Sequence, residues 1–199
     1  MTPLDPGYVE SAELREMGFA AIGEDVSIGR NCTVIGAANI SIGNHVRIDG
    51  PTAIIAARGA LTIGDYVHIG GGCHLSCAGG IEMADFAGLS QGVRLYSATD
   101  DYSGGALTNP MVPARFTNVR MGPVRLGRHV ILGAGSVVLP RIEIGEGSAV
   151  GALTLVNASL APWGIYAGQP ARWLRARSRD LLEMEAAFLC EQAAPEGGA

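Results

Sequence analysis

The chain has 199 residues and a formal net charge of −5, and all 14 of its cations are arginine. This acidic balance argues against a general nucleic-acid-binding protein, because binding to a phosphate backbone needs a basic surface. No stretch approaches the roughly 18 apolar residues of a membrane span, and no basic, apolar secretory signal is visible at the N-terminus. Length and composition together favour a cytoplasmic protein with one main domain.

The first predicted element is a short helix over Glu10–Met17. Gly18 follows it, and glycine readily adopts the left-handed conformation that ends many helices. We expect residues 1–21 to form a helical cap over the open end of the structure that begins at Ile22.

A six-residue repeat organises most of the chain. Each unit opens with an aliphatic residue, and glycine is the second residue in nine of the eighteen units. A period of six fits neither an α-helix nor an ordinary hairpin, but it fits a short strand followed by a corner, with the opening residue pointing inward. The opening residues are Ile22, Ile28, Val34, Ile42, Ile48, Ile54, Ile63, Ile69, Leu75, Met83, Leu89, Leu95, Leu126, Leu132, Val138, Ile144, Val150 and Val156.

The repeat is interrupted only after a third unit. Two or three extra residues follow the units of Val34, Ile54 and Leu75, and residues 101–125 follow the unit of Leu95. Since all interruptions fall at one corner, three units make one coil, and the eighteen units make about six coils. At a strand spacing of roughly 4.8 Å, the coils stack into a prism on the order of 29 Å long.

The most regular units lie near the C-terminal end, in the segments 126–138, 144–151 and 165–172. With the rest of the repeat they resemble the hexapeptide-repeat acyltransferases, and the segment from Ala167 to Arg172 resembles the tail of that family's sugar acetyltransferases. The resemblance implies an all-β fold, a left-handed parallel β-helix over residues 22–172, and association into homotrimers. It also implies acetyl-CoA as the co-substrate, and no metal.

The loop insertion at residues 101–125 is the least repetitive part of the chain. Loops of this length in compact folds are usually functional or disordered, and members of the family use such a loop to shape the acceptor pocket beside a neighbouring subunit. Its polar side chains Asp101, Tyr102, Arg115 and Asn118 are therefore predicted to bind substrate. The alternative is a packing arm that only ties the trimer together.

No histidine stands where relatives place their catalytic base. Galactoside- and maltose-type acetyltransferases carry that histidine after a segment like Tyr96–Thr99, where this chain has Asp100. Amino-sugar N-acetyltransferases place it near Gly59, although their Val-His-Ile segment is kept at Val67–Ile69. Asp100 and His68 are therefore predicted to be the catalytic residues.

The other three histidines carry weaker signals. His68 and His74 hold the sixth position of two successive units. Because successive units form different sides of the prism, the two histidines are predicted to lie on different sides. His74 is a candidate substrate-binding residue through a neighbouring subunit. His45 and His129 hold the fourth position, near a corner, and are expected to be exposed turn residues.

Four arginines lie close together near the C-terminus of an otherwise acidic chain. Arginine recognises phosphate through paired hydrogen bonds, so Arg172 and Arg177 are candidates for the phosphates of coenzyme A. Small residues on the last coils would let the pantetheine arm lie against the backbone. These small residues are Gly133, Ala134, Gly151 and Ala152.

The C-terminal part, residues 173–199, is predicted to form an amphipathic helix over 173–191 and then a frayed tail. The leading functional prediction is a coenzyme A-dependent acetyltransferase of surface-polysaccharide biosynthesis (O-antigen or capsule). It acts on the amine of a nucleotide-linked amino sugar, because an amine tolerates a weaker base than a hydroxyl does.

Three alternatives stay open at this point. A sugar O-acetyltransferase of the galactoside type would use the same fold on a hydroxyl. A non-catalytic β-helix scaffold would need neither the arginines nor the insertion. A γ-type carbonic anhydrase shares the β-helix but needs three converging histidines around a metal, and the chain has four histidines with no suitable spacing.

Overall fold

The structure, a computed structural model, describes residues 4–193. Two α-helices, α1 (Ser11–Arg15) and α2 (Leu181–Ala193), accompany many short strands. In chain order the strands are β1 (Tyr8–Glu10), β2 (Ala21–Ile22), β3 (Val26–Gly29), β4 (Thr33–Ile35), β5 (Ile40–Ile42), β6 (Val46–Ile48), β7 (Ala53–Ile55), β8 (Leu61–Ile63), β9 (His68–Ile69), β10 (His74–Ser76), β11 (Ile81–Met83), β12 (Gly88–Leu89), β13 (Arg94–Tyr96), β14 (Ala98–Thr99), β15 (Arg120–Met121), β16 (Val124–Leu126), β17 (Ile131–Leu132), β18 (Val137–Val138), β19 (Ile142–Ile144), β20 (Ala149–Val150), β21 (Leu155–Val156), β22 (Gly164–Ala167) and β23 (Arg172–Ala176).

Three sheets of parallel strands form the sides of a prism. Sheet 1 contains β2, β5, β8, β11, β16 and β19; sheet 2 contains β3, β6, β9, β12, β17, β20 and β22; and sheet 3 contains β4, β7, β10, β13, β18 and β21. The chain visits the three sheets in turn, so each coil adds one strand to each side. This confirms the predicted parallel β-helix.

The β-helix runs slightly beyond the predicted six coils. Sheet 2 has a seventh parallel strand, β22, which pairs with β20 and starts a seventh coil. Tyr166 of β22 lies in register with Val150 and is buried, so it takes the inward position of an opening residue. The six-residue pattern hides this unit because its opening residue is aromatic rather than aliphatic.

The opening residues of successive coils lie in register and form the core. Ile48, Ile69 and Leu89, for example, are neighbours along sheet 2, and all three are buried. All of the opening residues except Ile22 and Val34, which belong to the first coil, are buried. Removal of these aliphatic side chains from water is the main force that stabilises so narrow a prism.

Sheet 1 is wider than the repeat predicts. From β5 onward, its strands begin two residues before the opening residues, and Ile40, Leu61 and Val124 form part of a second buried row. The short interruptions of the repeat are therefore parts of sheet 1 strands. The insertion predicted at 101–125 also ends early, because Val124 and Arg125 already belong to β16.

A strand and a helix close the N-terminal end. Helix α1 is shorter than the predicted Glu10–Met17, and Gly18 beyond it has the expected positive φ, of 76°. Leu14 of α1 is buried against the core, and β1 pairs antiparallel with β3. The N-terminal segment therefore adds a strand to the predicted helix.

The C-terminal segment differs from the prediction. Strand β23 pairs antiparallel with β22, and α2 begins only at Leu181, so the helix predicted over 173–191 is wrong for residues 173–180. Pairing with β22 covers the open edge of sheet 2, a tertiary effect that local periodicity does not reveal. From residue 194 onward, the predicted tail lies outside the described residues, as do residues 1–3.

An aromatic stack runs along the 1–2 corner, where sheet 1 turns into sheet 2. His45, Tyr66, Phe86 and His129 hold the same position in successive coils, all with positive φ, and their stacked rings have centroids 4.6 to 5.1 Å apart. Phe188 of α2 packs edge-on against Tyr66 at 5.1 Å. Helix α2 therefore docks over this corner.

The docking of α2 buries one of the predicted turn histidines. His129 is 8% exposed, and its Nε2 lies 2.8 Å from Oε2 of Glu185 on α2. Desolvation lowers the pKa of His129. The expectation of an exposed turn residue therefore holds for His45, which is exposed, and is wrong for His129.

Candidate active site

The 2–3 corner, where sheet 2 turns into sheet 3, carries glycine in most coils. The second residue of each middle unit lies there, and from the first to the sixth coil it is Gly29, Asp49, Gly70, Ser90, Gly133 and Gly151. Successive coils meet closely at this corner, since a Cβ on Gly133 would lie only 2.5 Å from the backbone nitrogen of Ala152. Coil packing therefore disfavours a larger side chain at this position.

The four small residues predicted to face coenzyme A are neighbours on the 2–3 corner. Ala134 and Ala152 are exposed there. Arg172 is also exposed, and it lies at the same edge in the next coil, since it pairs with Ala167 at the end of β22. The structure therefore brings most of the predicted coenzyme residues into one line. That line consists of Gly133, Ala134, Gly151, Ala152 and Arg172.

Arg177 does not join this line. Its Nη1 donates to the carbonyl oxygens of His129 at 2.8 Å and Gly147 at 3.0 Å, which lie at the 1–2 corner on the opposite edge of sheet 2. Burial lowers the pKa of this guanidinium. The structure thus separates Arg177 from Arg172, and Arg177 anchors the connection between β23 and α2.

A hydrogen-bonded cluster surrounds Asp49 on the 2–3 corner. His68 Nε2 lies 2.9 Å from Asp49 Oδ2, and the hydroxyl of Tyr8 and Nε of Arg47 each donate to Oδ1 at 2.7 Å. Burial acts to raise the pKa of Asp49, but hydrogen bonds from Tyr8, His68 and Arg47 outweigh it and lower the pKa to about 2. His68 itself lies on the outer face of sheet 2, about half exposed. An ionised carboxylate therefore holds the candidate catalytic histidine in place.

Asp100 lies at the 3–1 corner, where sheet 3 turns into sheet 1 and the insertion leaves the prism. The insertion starts and ends as a two-stranded ladder, because β14 pairs antiparallel with β15. Gly59 and Gly80, both with positive φ, hold the place of Asp100 in the two preceding coils. One chain does not bring Asp100 and His68 together, because the 3–1 corner lies opposite sheet 2.

Within the insertion, Asp101 and Asn118 hold the loop together. Asp101 is buried, its Oδ1 accepts the backbone N–H of Ser103 at 2.9 Å, and its Oδ2 lies 3.4 Å from Nδ2 of Asn118. Hydrogen bonds from Ser103 lower the pKa of Asp101. Tyr102 and Arg115 are exposed instead, so these two predicted residues present their side chains outward.

His74 lies on the outer face of sheet 3, in register with Ala53 and Arg94, and its ring centroid is 5.6 Å from that of Tyr96. It is therefore on a different side from His68, as predicted. Within residues 4–193, no group of three His, Cys, Asp or Glu side chains could hold a metal ion. Neither of the two helices in these described residues could span a membrane.

A three-sided parallel β-helix with one long insertion and a corner of small residues is the architecture of a hexapeptide-repeat acyltransferase. Comparison with known proteins supports this class. The chain is 40% identical over 181 residues to the dTDP-4-amino-4,6-dideoxy-D-glucose acyltransferase of Escherichia coli. The aligned region covers 91% of this chain and 94% of that protein. It is 41% identical to AntD, an N-acyltransferase from Bacillus cereus solved with dTDP and 3-hydroxybutyryl-CoA, with a TM-score of 0.91 over 96% of this chain and 100% of AntD.

The chain belongs to the family of hexapeptide-repeat acyltransferases that includes these two enzymes, and it is a coenzyme A-dependent acyltransferase. A hexapeptide-repeat acetyltransferase from Vibrio cholerae shares the fold at a TM-score of 0.50 and 19% identity. No family model matches the chain.

The solved AntD structures include variants at two positions. One position is an aspartate, replaced by alanine or asparagine, and the other is a serine ten positions earlier, replaced by threonine, alanine or cysteine. These structures contain coenzyme A together with dTDP or dTDP-4-amino-4,6-dideoxyglucose.

Proposed function

We propose that this chain transfers an acyl group from coenzyme A to the 4-amino group of a dTDP-linked 4-amino-4,6-dideoxysugar. The observation that carries the proposal is the similarity, over nearly the whole chain, to two acyltransferases whose names or bound ligands include that sugar. The carboxylate of Asp100 at the place of the relatives' histidine favours an amine over a hydroxyl as acceptor, since a neutral amine needs no strong base.

The test is an assay of the purified protein with dTDP-4-amino-4,6-dideoxyglucose and acetyl-CoA. Release of the coenzyme A thiol and a product heavier by one acetyl group are expected. Turnover of hydroxyl acceptors such as galactosides, with none of the amino sugar, would replace this proposal by the galactoside-type alternative.

Two residues match the AntD variants in type and spacing. Ser90 precedes Asp100 by ten positions in this chain. We assign Asp100 to accept a hydrogen bond from the acceptor amine and orient its lone pair. The hydroxyl of Ser90 donates to the thioester carbonyl oxygen, where negative charge develops during attack.

The reaction then proceeds as an aminolysis. The sugar nitrogen attacks the thioester carbon, the carbon–sulfur bond breaks, and an amide forms. The proton lost by nitrogen ends on the departing sulfur, so coenzyme A leaves as a thiol. His68, held by Asp49, assists this proton transfer through water.

The site needs two chains. Ser90 and Asp100 lie at opposite edges of sheet 3 in one chain, because β13 runs between them. When three chains turn sheet 3 toward a common axis, the 2–3 corner of one chain lies beside the 3–1 corner of the next. Ile35, Ile55 and Leu155 on the outer face of sheet 3 would be covered by such a contact, which favours this homotrimer.

Coenzyme A lies along the 2–3 corner beyond Ser90. The pantetheine arm follows the small residues that the corner exposes, and a phosphate of the nucleotide end pairs with Arg172. Arg177 has a structural role in this arrangement, since its Nη1 already donates to backbone carbonyls. The pantetheine seat is formed by Gly133, Ala134, Gly151 and Ala152.

The insertion of the neighbouring chain supplies the acceptor side. Tyr102 and Arg115 meet the nucleotide, while Asp101 and Asn118 keep the loop in shape. His74 lies in the contact between chains, beside the site rather than inside it. Acyl-CoA and a nucleotide sugar as substrates favour a cytoplasmic reaction that prepares an activated sugar for a surface polysaccharide.

A further inference from the structure

A cavity of about 410 Å³ lies on the 2–3 corner at the height of the first four coils. The N-terminal segment forms one of its walls, since Asp5 and Tyr8 line the cavity together with Asp49. We propose that Arg58 of the neighbouring chain in the trimer reaches over this cavity and pairs with Asp5. The inference rests on the trimer of the proposed function, and it adds a contact between chains beside the shared site.

Threefold symmetry decides which coils meet between two chains. A rotation about an axis parallel to the prism does not move a chain along that axis, so each coil of one chain lies beside the same coil of the next. With sheet 3 toward the axis, the 2–3 corner at Asp49 therefore lies beside the 3–1 corner at residues 56–60, since both belong to the second coil. The same rule brings Ser90 and Asp100 together in the fourth coil. Arg58 thus lies opposite the middle of the cavity.

Arg58 is a charged residue on an otherwise uncharged stretch of the 3–1 corner. In the first three coils this corner consists of residues 36–39, 56–60 and 77–80, and Arg58 is the only charged residue among them. Its side chain is exposed. The arginines that pair with a carboxylate within residues 4–193 are Arg15, Arg30, Arg47, Arg125 and Arg128. Arg58 is not one of them, so the described part of a single chain gives its guanidinium no anionic partner.

Asp5 is the negative charge that the 2–3 corner leaves uncompensated. Its Oδ1 accepts the backbone N–H of Gly7 at 2.9 Å, which leaves Oδ2 for a donor from another chain. Asp49, the other carboxylate of the cavity, accepts from Nε of Arg47 at 2.7 Å, and its second oxygen lies 2.9 Å from Nε2 of His68. Because Arg47 offsets the charge of Asp49, one further cation opposite Asp5 makes the corner neutral.

The pair fixes the N-terminal segment next to the shared site. Asp5 is three residues before Tyr8. The hydroxyl of Tyr8 donates to Asp49, the carboxylate that holds His68. An ion pair that a second chain shields from water is screened less by salt than a pair on an open surface. Arg58 therefore stabilises the trimer and supports the cluster that positions His68.

Exchange of the two charges tests the pair. Arg58→Asp and Asp5→Arg each place like charges opposite each other at all three contacts of the trimer. Each variant should therefore raise the protein concentration at which half of the trimer dissociates by about tenfold. The double variant restores opposite charges and should return this concentration close to that of the natural chain. Analytical ultracentrifugation over a dilution series measures it.

Two results of the exchange would overturn the pair. One is a double variant that dissociates as readily as the weaker single variant, and the other is equal dissociation of all four chains. Acyl transfer to dTDP-4-amino-4,6-dideoxyglucose by the natural chain is assayed separately. Normal transfer together with a failed exchange would overturn this inference and leave the proposed function intact, whereas absence of transfer would overturn the proposed function.

Salt and a control variant separate the ion pair from a general effect of charge. The difference between the natural chain and Arg58→Asp should shrink as NaCl is raised from about 0.1 M to about 1 M, because salt screens the two charges. Arg175→Asp makes the same change on an exposed residue of β23, at the edge of sheet 2, and should leave dissociation unchanged. A loss of equal size in Arg175→Asp would show that added negative charge alone weakens the trimer, and it would contradict the pair.

Discussion

Asp49, Ser90 and Asp100 stand at corner positions where other coils carry glycine. Coil packing at the 2–3 corner favours the absence of a side chain, as the close approach of Gly133 to Ala152 shows. A polar side chain at such a position is therefore better explained by function than by packing. At the scale of residues, Ser90 and Asp100 are the groups that act in the proposed reaction, and Asp49 holds His68 in place.

Asp100→Asn tests the acceptor side of the site. The amide keeps the size of the carboxylate but lacks its negative charge, so it accepts the hydrogen bond of the amine more weakly. The value of kcat/KM for the amino sugar should therefore fall about 10²-fold or more. The assay follows thiol release at saturating acyl-CoA. Asp25→Asn changes an exposed aspartate at the 1–2 corner and should keep normal turnover. Near-normal turnover in Asp100→Asn would remove Asp100 from the reaction.

Variants of Arg172 and Arg177 distinguish a role in coenzyme binding from a role in folding. Arg172→Ala should raise the KM for acetyl-CoA about tenfold or more, because a charge-assisted hydrogen bond to phosphate is lost. If Arg172 meets the 3′-phosphate, the KM for acetyl-dephospho-CoA should change little. Arg177→Ala should instead lower the melting temperature and leave the difference between the two donors unchanged, since its guanidinium binds the carbonyls of His129 and Gly147. A selective loss of the phosphorylated donor in Arg177→Ala would reverse the two roles.

The hydrogen-bonded cluster around Asp49 makes the free energy of unfolding depend on pH. The pKa of Asp49 in the folded chain is about 2, below its ordinary value of 3.8, because its hydrogen bonds outweigh burial. The stabilisation is therefore fully present above about pH 5 and is lost as the pH falls toward 2. Asp49→Asn should lower the free energy of unfolding by about 1–2 kcal/mol at pH 7 and have less effect at pH 3. Urea unfolding at both pH values measures this, and an equal effect at pH 7 and pH 3 would contradict it.

At the scale of elements, α2 depends on the 1–2 corner for its position. It packs Phe188 against the ring of Tyr66 and brings Glu185 onto His129, while Met184 on the same helix stays 65% exposed. Because this aromatic stack is built by successive coils, the coils must form before α2 can dock. The helix is therefore an accessory to the prism rather than part of its core.

Phe188→Ala should release α2. The loss of packing against the aromatic stack is expected to lower the free energy of unfolding by about 1–3 kcal/mol. It should also speed amide hydrogen exchange in α2 more than in the sheets. Met184→Ala removes an exposed apolar side chain from the same helix and should have little effect. Unchanged exchange in α2 of Phe188→Ala would show that other contacts hold the helix.

The elements also show what a single sequence can predict. The coils follow from the repeat, because the opening residues of all coils after the first are buried and the six-residue period fixes their places along the chain. Strand β23 and the burial of His129 depend instead on contacts with β22 and α2, which no local pattern reveals. The six-residue pattern does not single out Ser90, because serine is one more small residue at a corner. The glycines at the same position in the coils before and after it, Gly70 and Gly133, are the signal that marks it.

At the scale of the whole molecule, the proposed active site is shared between two chains. Ser90 and Asp100 occupy different corners of one prism, so each chain of a trimer contributes to two sites. The trimer should therefore appear in light scattering as a particle of three 20.5-kDa chains. Because the two residues of one site come from different chains, a chain that lacks Ser90 and a chain that lacks Asp100 can together form an intact site.

Mixed trimers of two inactive variants show whether one active site takes Ser90 and Asp100 from different chains. Ser90→Ala and Asp100→Asn chains are unfolded together, refolded at equal concentration, and assayed with the dTDP-linked amino sugar and acetyl-CoA. Random assembly gives about a quarter of the interfaces an intact Ser90 from one chain and an intact Asp100 from the next, so we expect about a quarter of the normal activity to return. Activity in the mixture no higher than that of the separately refolded variants would contradict the shared site.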